Sequence, residues 1–211
     1  MNTEHESPDQ MLAQFRAGQS EAGNRLLRRY EPWLKLMARQ QLQSRFQAKF
    51  DASDVVQQAL LEAVRDFPQF RGQTEGEFIA WLRRILAHVL AHEVRRYAGT
   101  MKRDLDREVS MEQELAHTSR RLGDMVPGPG TSPSRKMMEG EQQAMLAAML
   151  ERLPEDYREV LVLRHLDGLS HDEIAARMGR NAGAVRMLWV RALARLREEV
   201  DKAGVSFTWR P

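Results

Sequence analysis

The stretch from residue 151 to residue 197 constrains the fold more than any other part of the chain, because it contains helical patterns separated by a short turn. Ser170 is of the residue type that caps a helix, and two carboxylates follow in the first turn, where they oppose the positive end of the helix dipole. This helix is predicted to end at Gly179, which tolerates the left-handed backbone of a helix terminus. A second helix is predicted to begin near Ala182. The spacing is typical of a helix-turn-helix unit, whose second helix lies in the major groove of DNA.

The second of these helices has two different sides. At about 100° per residue, apolar side chains gather on the side that is predicted to pack on the preceding helices, namely Val185, Leu188, Trp189, Ala192, Leu193 and Leu196. The opposite side includes Arg186, Met187, Val190 and Arg191. No acidic residue occurs between Ile174 and Arg197, a stretch that is rich in arginine. A helix of one charge sign indicates contact with phosphate, although a solvated basic helix is the simpler alternative.

Composition limits the classes of protein to which the chain can belong. Its 211 residues allow one or two domains. The formal net charge is only +2, so bulk charge does not indicate nucleic-acid binding, whereas the segregation of bases and acids along the chain does. The absence of cysteine excludes disulfides and thiolate metal sites. Because no apolar run approaches about 20 residues and the N-terminus is polar and acidic, we expect a cytoplasmic protein without membrane insertion.

The run LPEDYREVLVLRHLDGLSHDEIAARMG, followed by GAVR and the basic helix, resembles region 4 of bacterial RNA polymerase sigma factors, most closely those of the extracytoplasmic-function subfamily. The resemblance implies that this module binds the −35 promoter element and touches the flap of the polymerase. The residues that would face the −35 duplex are Arg186, Met187, Val190 and Arg191. A helix-turn-helix alone is weakly specific, because response regulators of the LuxR type carry a similar one.

An earlier segment, DASDVVQQALLEAVRDF at 51–67, is predicted to form a helix that Asp51 or Ser53 caps. Acids and amides at a helix N-terminus satisfy free backbone amides, and this explains them without any partner. The pattern DxxDVVQxxxLxA also resembles sigma region 2.2, which in the family grips the clamp helices of the largest polymerase subunit. This resemblance assigns polymerase binding to Asp51, Asp54, Val55, Gln57 and Gln58.

The polar loop PQFRGQTEG at 68–76 and the helix predicted over 77–97 extend this second resemblance. In isolation, a loop aromatic such as Phe70 is more often tucked into its domain than exposed. In sigma factors of this type, however, the loop forms a pocket for an extruded −10 base, and WLRRI resembles regions 2.3 and 2.4, which melt and bind the −10 element. Arginines that attract phosphate and aromatics that stack on bases meet the needs of strand capture. The residues assigned to the −10 strand are Phe70, Arg71, Gly72, Arg84, His88, Arg95 and Arg96.

His88 and His92 depart from the family, whose members usually have Asn and Asp there. This departure leaves open which promoter sequence the chain recognises. Because histidine titrates near neutrality, it would also allow promoter binding to be sensitive to pH. The two histidines are also spaced i, i+4, as in some metal sites, but an HExxH glutamate and a third ligand are not evident. We expect two surface or DNA-facing histidines rather than a metal ion, with no cofactor and no catalytic residue. A metal hydrolase is the enzymatic alternative.

Together these patterns predict an all-α chain of two small helical domains joined by a flexible linker. We expect a sigma region 2-like domain over 1–100, in which Pro32 begins a separate helix. A linker containing Pro, Gly and Ser should follow over 101–140, and a sigma region 4-like domain over 141–211. The resemblance implies a non-enzymatic sigma factor with core RNA polymerase and promoter DNA as partners, and an anti-sigma factor as a further candidate. A stand-alone helix-turn-helix regulator is the alternative function.

Overall fold

Helices form all the regular structure in residues 6–45, 51–98, 105–125 and 134–203, which are the part of the chain that the computed structural model describes. The expectation of an all-α fold is confirmed for these residues. A single turn of 3-10 helix, Phe67–Gln69, lies between the third and fourth α-helices. In chain order the α-helices are α1 (Pro8–Arg16), α2 (Ser20–Arg45), α3 (Ala52–Asp66), α4 (Glu75–Ala98), α5 (Leu105–Asp124), α6 (Ser134–Arg152), α7 (Glu155–His165), α8 (His171–Met178) and α9 (Ala182–Lys202).

Pro32 lies inside α2 and does not begin a separate helix, so that prediction is wrong. A proline in a helix interior removes a backbone hydrogen bond and costs about 3 kcal/mol. The helix continues because the residues around Pro32 belong to one core: Tyr30, Trp33 and Leu34 are at most 1% exposed. Burying a large apolar side chain stabilises a protein by about 1.5–3 kcal/mol, so the flanking packing offsets the cost of the proline.

An aromatic cluster joins the 3-10 turn to the start of α4. The ring of Phe70 lies 4.9 Å from that of Trp81 and 5.8 Å from that of Phe78, between ring centroids. Phe67 stacks on Phe15 of α1 with a centroid distance of 3.8 Å. Aromatic pairs of this kind stabilise a core beyond the area that they bury. The cluster therefore fixes the loop between α3 and α4 to the body of the N-terminal module.

Helix α5 occupies much of the segment that composition predicts to be a flexible linker. Its apolar side chains Met111, Leu115 and Leu122 are at most 2% exposed, and the helix packs on α4, α2 and α6. Ser119 donates a hydrogen bond of 2.6 Å to the side chain of Gln143 in α6. Residues 105–124 of the predicted linker therefore form a packed helix, whereas the Pro- and Gly-rich residues 126–133 lie outside the described residues.

Helices α7, α8 and α9 form the expected helix-turn-helix unit. Ser170 and Glu173 make a capping box at the start of α8, in which the Ser170 hydroxyl accepts from the Glu173 amide at 3.3 Å. Gly179 ends α8 with a φ of +63°, in the left-handed region. Asn181 then caps α9 by accepting a 2.7 Å hydrogen bond from the Ala184 amide. The predicted cap at Ser170, the predicted end at Gly179 and the predicted start of the second helix near Ala182 are confirmed.

Candidate nucleic-acid and polymerase interface

Helix α9 presents the four residues predicted for the −35 element to solvent. Met187 is 54% exposed and Val190 is 51% exposed, and Arg186 and Arg191 are exposed beside them. Neither of these arginines forms an ion pair with any residue that the structure describes. Arg195, one helical turn after Arg191, is bound by the carboxylates of Glu198 and Glu199. The outer face of α9 thus combines two uncompensated guanidinium groups with two exposed apolar side chains.

The opposite face of α9 fixes the helix against its neighbours. Val185, Ala192 and Leu196 are at most 1% exposed, and Leu188 is 8% exposed. The indole of Trp189 donates a hydrogen bond of 3.3 Å from its Nε1 to Nε2 of His165 in α7. Burial, together with nearby Arg164, lowers the pKa of His165, which keeps this nitrogen available as an acceptor. The division of α9 into a packed and an exposed side is as the sequence predicts.

The surroundings of the turn between α7 and α8 are also positively charged. Arg164 donates a 2.8 Å hydrogen bond to the carbonyl of Leu169. Burial lowers the pKa of His171 at the start of α8, and the charges of Arg164 and Arg186 lower it further. Burial is the largest cause of this lowered pKa, the two arginine charges add smaller contributions, and the carboxylate of Asp172 opposes them. The positive charges of Arg164 and Arg186 attract an anion such as a DNA phosphate.

Phe70, which was assigned to the −10 strand, does not face solvent. Its ring is only 8% exposed and lies among Trp81, Phe78 and Phe67, while the guanidinium of Arg16 lies 5.5 Å from the ring centroid. A nucleobase cannot stack on a ring whose faces already have partners. The expectation that Phe70 itself forms the wall of a base pocket does not fit this geometry, and the ring instead supports the loop.

The rest of this loop is held against the first turn of α4. A Cβ atom at Gly72 would overlap the ring of Phe70, so the close approach of the backbone requires glycine here. The carboxylate of Glu77 accepts hydrogen bonds from the amides of Gln73 at 2.7 Å and Thr74 at 3.1 Å. These bonds lower the pKa of Glu77 and keep it ionised. Arg71 is left exposed on the outside of the loop.

The cations predicted for the −10 strand lie along α4. Arg84, His88 and Arg96 are exposed, and the side chain of Arg95 lies outside the described part of the structure. Arg96 approaches the carboxylate of Glu93 at 3.5 Å. The side chains of Arg84, His88 and Arg96 therefore form an accessible basic row along α4. The carboxylate of Glu93 partly compensates the charge of Arg96 in this row.

An open groove of about 670 Å³ between α3 and α4 brings two predicted groups together. Asp51, Asp54 and Gln58, which were assigned to the polymerase, line it opposite His88 and Arg96, which were assigned to the −10 strand. Val55 also lines the groove, but it is only 3% exposed and serves as its floor. Gln57 is exposed outside the groove. The two groups are thus neighbours across one groove.

Sequence reasoning missed part of this surface. Glu62 and Arg65 continue the groove along α3, and a helical wheel predicts them, because they follow Gln58 at intervals of four and three residues. Leu61 and Val64 are 67% and 49% exposed on the same helix. The exposure of these two side chains depends on which helices pack against α3. Their hydrophobicity alone therefore does not predict that they face solvent.

In the described ranges, no three His, Asp or Glu side chains lie close enough to hold a metal ion, so the histidine pair of α4 has no third ligand there. Within those same ranges, no helix has the length and apolarity needed to cross a membrane.

Family models match two separate segments of the chain. The family model for sigma-70 region 2 matches residues 26–100, and that for sigma-70 region 4 matches residues 143–196. The ECF RNA polymerase sigma factor SigD of Mycobacterium tuberculosis is 30% identical over 204 residues, which cover 97% of this chain and 89% of that protein. The chain belongs to the extracytoplasmic-function (ECF) family of RNA polymerase sigma factors.

A second curated relative of this sigma factor agrees. The ECF RNA polymerase sigma-E factor of Escherichia coli is 33% identical over 198 residues, which cover 92% of each chain. A solved complex of the sigma factor RpoE with the anti-sigma factor NepR from Bartonella quintana is 21% identical over 86% of this chain and 97% of that chain, with a TM-score of 0.29. A stand-alone helix-turn-helix regulator is not favoured, because a sigma region 2 precedes the sigma region 4.

Proposed function

We propose that three surfaces of this sigma factor divide the work of promoter-specific initiation. The exposed face of α9 reads the −35 duplex. Arg186 and Arg191 supply hydrogen-bond donors for guanine edges or phosphates, and Met187 and Val190 supply apolar contacts of the kind that suit a thymine methyl group. The observation that carries this assignment is that both guanidinium groups lie free of carboxylates on a helix whose other face is buried.

The second surface binds the opened −10 strand. Arg71, Arg84, His88 and Arg96 are accessible to a phosphate backbone, and Arg95 is retained from the family resemblance. Phe70 and Gly72 act indirectly, because they hold the loop that carries Arg71. A strand that leaves the duplex needs both phosphate attraction and base contacts, and His88 supplies a planar ring in this row.

The third surface binds core RNA polymerase through the outer side of α3. Asp51, Asp54, Gln57 and Gln58 are exposed there, and Val55 supports them from below. A row of acids and amides suits a partner surface that carries basic and amide side chains. Since this row shares a groove with His88 and Arg96, polymerase and the −10 strand would bind side by side.

The protein has no catalytic activity of its own in this proposal, and the polymerase supplies the chemistry. It acts in the cytoplasm, where core RNA polymerase and promoter DNA are its partners. The domains extend over 1–100 and 141–211, with 101–140 between them. A solved relative is bound to an anti-sigma factor, and this supports an anti-sigma factor as a further partner.

Binding to core polymerase tests the third surface directly. Asp54→Lys reverses one charge on the outer side of α3, whereas Glu21→Lys makes the same change at an exposed position of α2. We expect Asp54→Lys to weaken binding to core polymerase by about tenfold or more and Glu21→Lys to leave it unchanged, as measured by fluorescence anisotropy of the labelled sigma factor. Equal binding by both variants would remove α3 from the polymerase interface.

A further inference from the structure

The exposed side of α4 is a single row of cationic and imidazole side chains. Of the described side chains between residues 82 and 96, those that are exposed recur at every fourth position, namely Arg84, His88, His92 and Arg96. Residues four apart lie on the same face of a helix, one turn after another. At a rise of about 1.5 Å per residue, the row is about 18 Å long. Two guanidinium groups thus mark its ends, and two imidazoles lie between them.

The second imidazole of this row is as accessible as the groups already assigned to the −10 strand. The side chain of His92 is 62% exposed, close to the 61% of Arg96. His92 also lines the groove between α3 and α4, together with His88 and Arg96. It therefore shares the position and the accessibility of the assigned groups, although the family resemblance gives it no role.

Both acids and bases surround the two imidazoles. The charged groups near them are Asp51, Asp54, Glu62, Arg65 and Asp66 of α3 and Arg84, Glu93 and Arg96 of α4. Nδ1 of His92 lies 3.6 Å from Oε1 of Glu93, a distance that allows an ion pair when the imidazole is protonated. The other helices that pack on α4 bring charged groups to different positions, namely Glu112 and Arg120 of α5 to Arg83, and Asp9, Arg29 and Glu141 of α1, α2 and α6 to Glu75.

We propose that His92 contacts the backbone of the −10 strand next to His88, and that both imidazoles bind it in their protonated form. This inference rests on the proposed role of α4 in binding that strand. Phosphates of one strand are about 3.4 Å apart in B-form DNA, so the row extends along roughly five of them. Without the imidazoles, the two arginines would leave a gap of about 18 Å. The histidines fill this gap with groups that carry charge only when protonated.

The polymerase affects which anion the imidazoles meet. In the free chain, the carboxylates of α3 lie across the groove from them. In the proposed function, core polymerase binds those carboxylates with its own basic and amide groups. A DNA phosphate can then become the counter-ion of the imidazoles, so the proposal concerns the holoenzyme.

Protonated imidazoles make strand binding depend on pH. An unperturbed histidine titrates at about pH 6.5, and a phosphate in contact with it favours the charged form. The complex with DNA therefore binds more protons than the holoenzyme alone. By linkage, the affinity for the strand rises as the pH falls. The gain is complete below the ordinary histidine value of about 6.5 and is lost as the pH rises above the higher value in the complex.

Binding of single-stranded −10 DNA to the holoenzyme at a series of pH values tests the proposal. The probe is a rhodamine-labelled oligonucleotide from a promoter that run-off transcription identifies, and fluorescence anisotropy at constant ionic strength gives the affinity. We expect the unaltered holoenzyme to bind about tenfold more tightly at about pH 6 than at about pH 8. On a logarithmic scale, His92→Gln should remove about half of this difference, and His88→Gln with His92→Gln should remove nearly all of it. His117→Gln, at an exposed position of α5, is the matched control and should keep the full difference.

A permanent charge distinguishes a phosphate contact from a structural role. His92→Arg carries a cation at every pH, so at about pH 8 it should bind the strand about threefold or more tightly than the unaltered protein, with a weaker dependence on pH. A histidine that only supports the helix would not give this gain. Calorimetry in two buffers that differ in their enthalpy of ionisation should also detect about one proton taken up per complex at about pH 7, and fewer for His92→Gln.

The outcomes separate this inference from the proposed function. An equal pH dependence in the unaltered protein and in His92→Gln would overturn the assignment of His92. A dependence that persists in full in the double variant would overturn the proposal as a whole, while the proposed function stands as long as the holoenzyme binds the strand. If the holoenzyme fails to bind the −10 strand at every pH, the proposed function of α4 is wrong and the inference is wrong with it.

Discussion

The two basic surfaces of this sigma factor differ in how their charges are balanced. On α9, Arg186 and Arg191 have no carboxylate partner within the described ranges. On α4, Arg96 lies 3.5 Å from Glu93 and shares a groove with Asp51 and other acids. The surface on α9 can therefore bind duplex phosphate without rearrangement, whereas the surface on α4 must first lose contacts with its own acids. We infer that −35 binding is preformed and that −10 binding depends on the partner that occupies the groove.

The largest effect is expected for Phe70, whose buried ring supports the loop that precedes α4. Phe70→Ala removes a ring that is 8% exposed and packs on Trp81 and Phe78. We expect the free energy of unfolding to fall by about 3–5 kcal/mol, as measured by urea denaturation. Phe70→Leu keeps most of the apolar volume, so it should retain initiation from a −10 element. If Phe70→Leu folds stably but no longer opens the promoter, the ring stacks on a base and our assignment is wrong.

The next effect tests the preformed surface on α9. Arg186→Ala removes an exposed guanidinium, and a bidentate contact to a guanine is worth about 1–3 kcal/mol. We expect the holoenzyme to bind a −35 duplex about 10- to 100-fold more weakly, with a smaller dependence on salt. Arg28→Ala, at an exposed position of α2, is the matched control and should behave as the unaltered protein does. Unchanged affinity for Arg186→Ala would remove this residue from the −35 site.

A smaller effect concerns the stability of the helix-turn-helix unit that presents the α9 surface. Ser170→Ala removes the hydroxyl that caps α8 and should lower the free energy of unfolding by about 1 kcal/mol. The affinity of the folded holoenzyme for the −35 duplex should stay the same, because the cap stabilises the unit and does not touch DNA in our account. A large loss of DNA affinity without loss of stability would place Ser170 at the DNA instead.

The smallest effect concerns the compensated surface on α4. Glu93→Gln removes the carboxylate next to Arg96, and a solvent-exposed ion pair of this kind contributes about 0–1 kcal/mol. We expect holoenzyme affinity for single-stranded −10 DNA to rise about two- to fivefold, as measured by fluorescence anisotropy. Glu21→Gln on α2 serves as the control. No change with Glu93→Gln would mean that Glu93 does not restrain this surface, and the contrast with α9 would then disappear.

Local signals were sufficient to predict the helix-turn-helix unit. Ser170 and Gly179 act through a hydrogen bond and a backbone angle within a few residues of themselves, so their effect can be read from the sequence. The exposed face of α9 followed from helical periodicity for the same reason. The resemblance to sigma factors added the assignment of that face to a DNA element.

Non-local packing set the features that the sequence did not predict. The burial of Phe70 depends on Trp81 and Phe78, and the continuity of α2 through Pro32 depends on a core built from several helices. The contact of Arg29 with Glu141 joins residues far apart in the chain. No short pattern encodes such contacts, and for that reason the sequence does not predict the packing of α5 against α2, α4 and α6.

Reconstituted run-off transcription on genomic templates tests the central claim most directly, which is that the two basic surfaces select promoters only together with core polymerase. We expect specific start sites when core enzyme and this sigma factor are both present, fewer of them with Arg186→Ala, and none when either component is omitted. Specific protection of the same promoters by the sigma factor alone, with the affinity that the holoenzyme shows, would contradict the account.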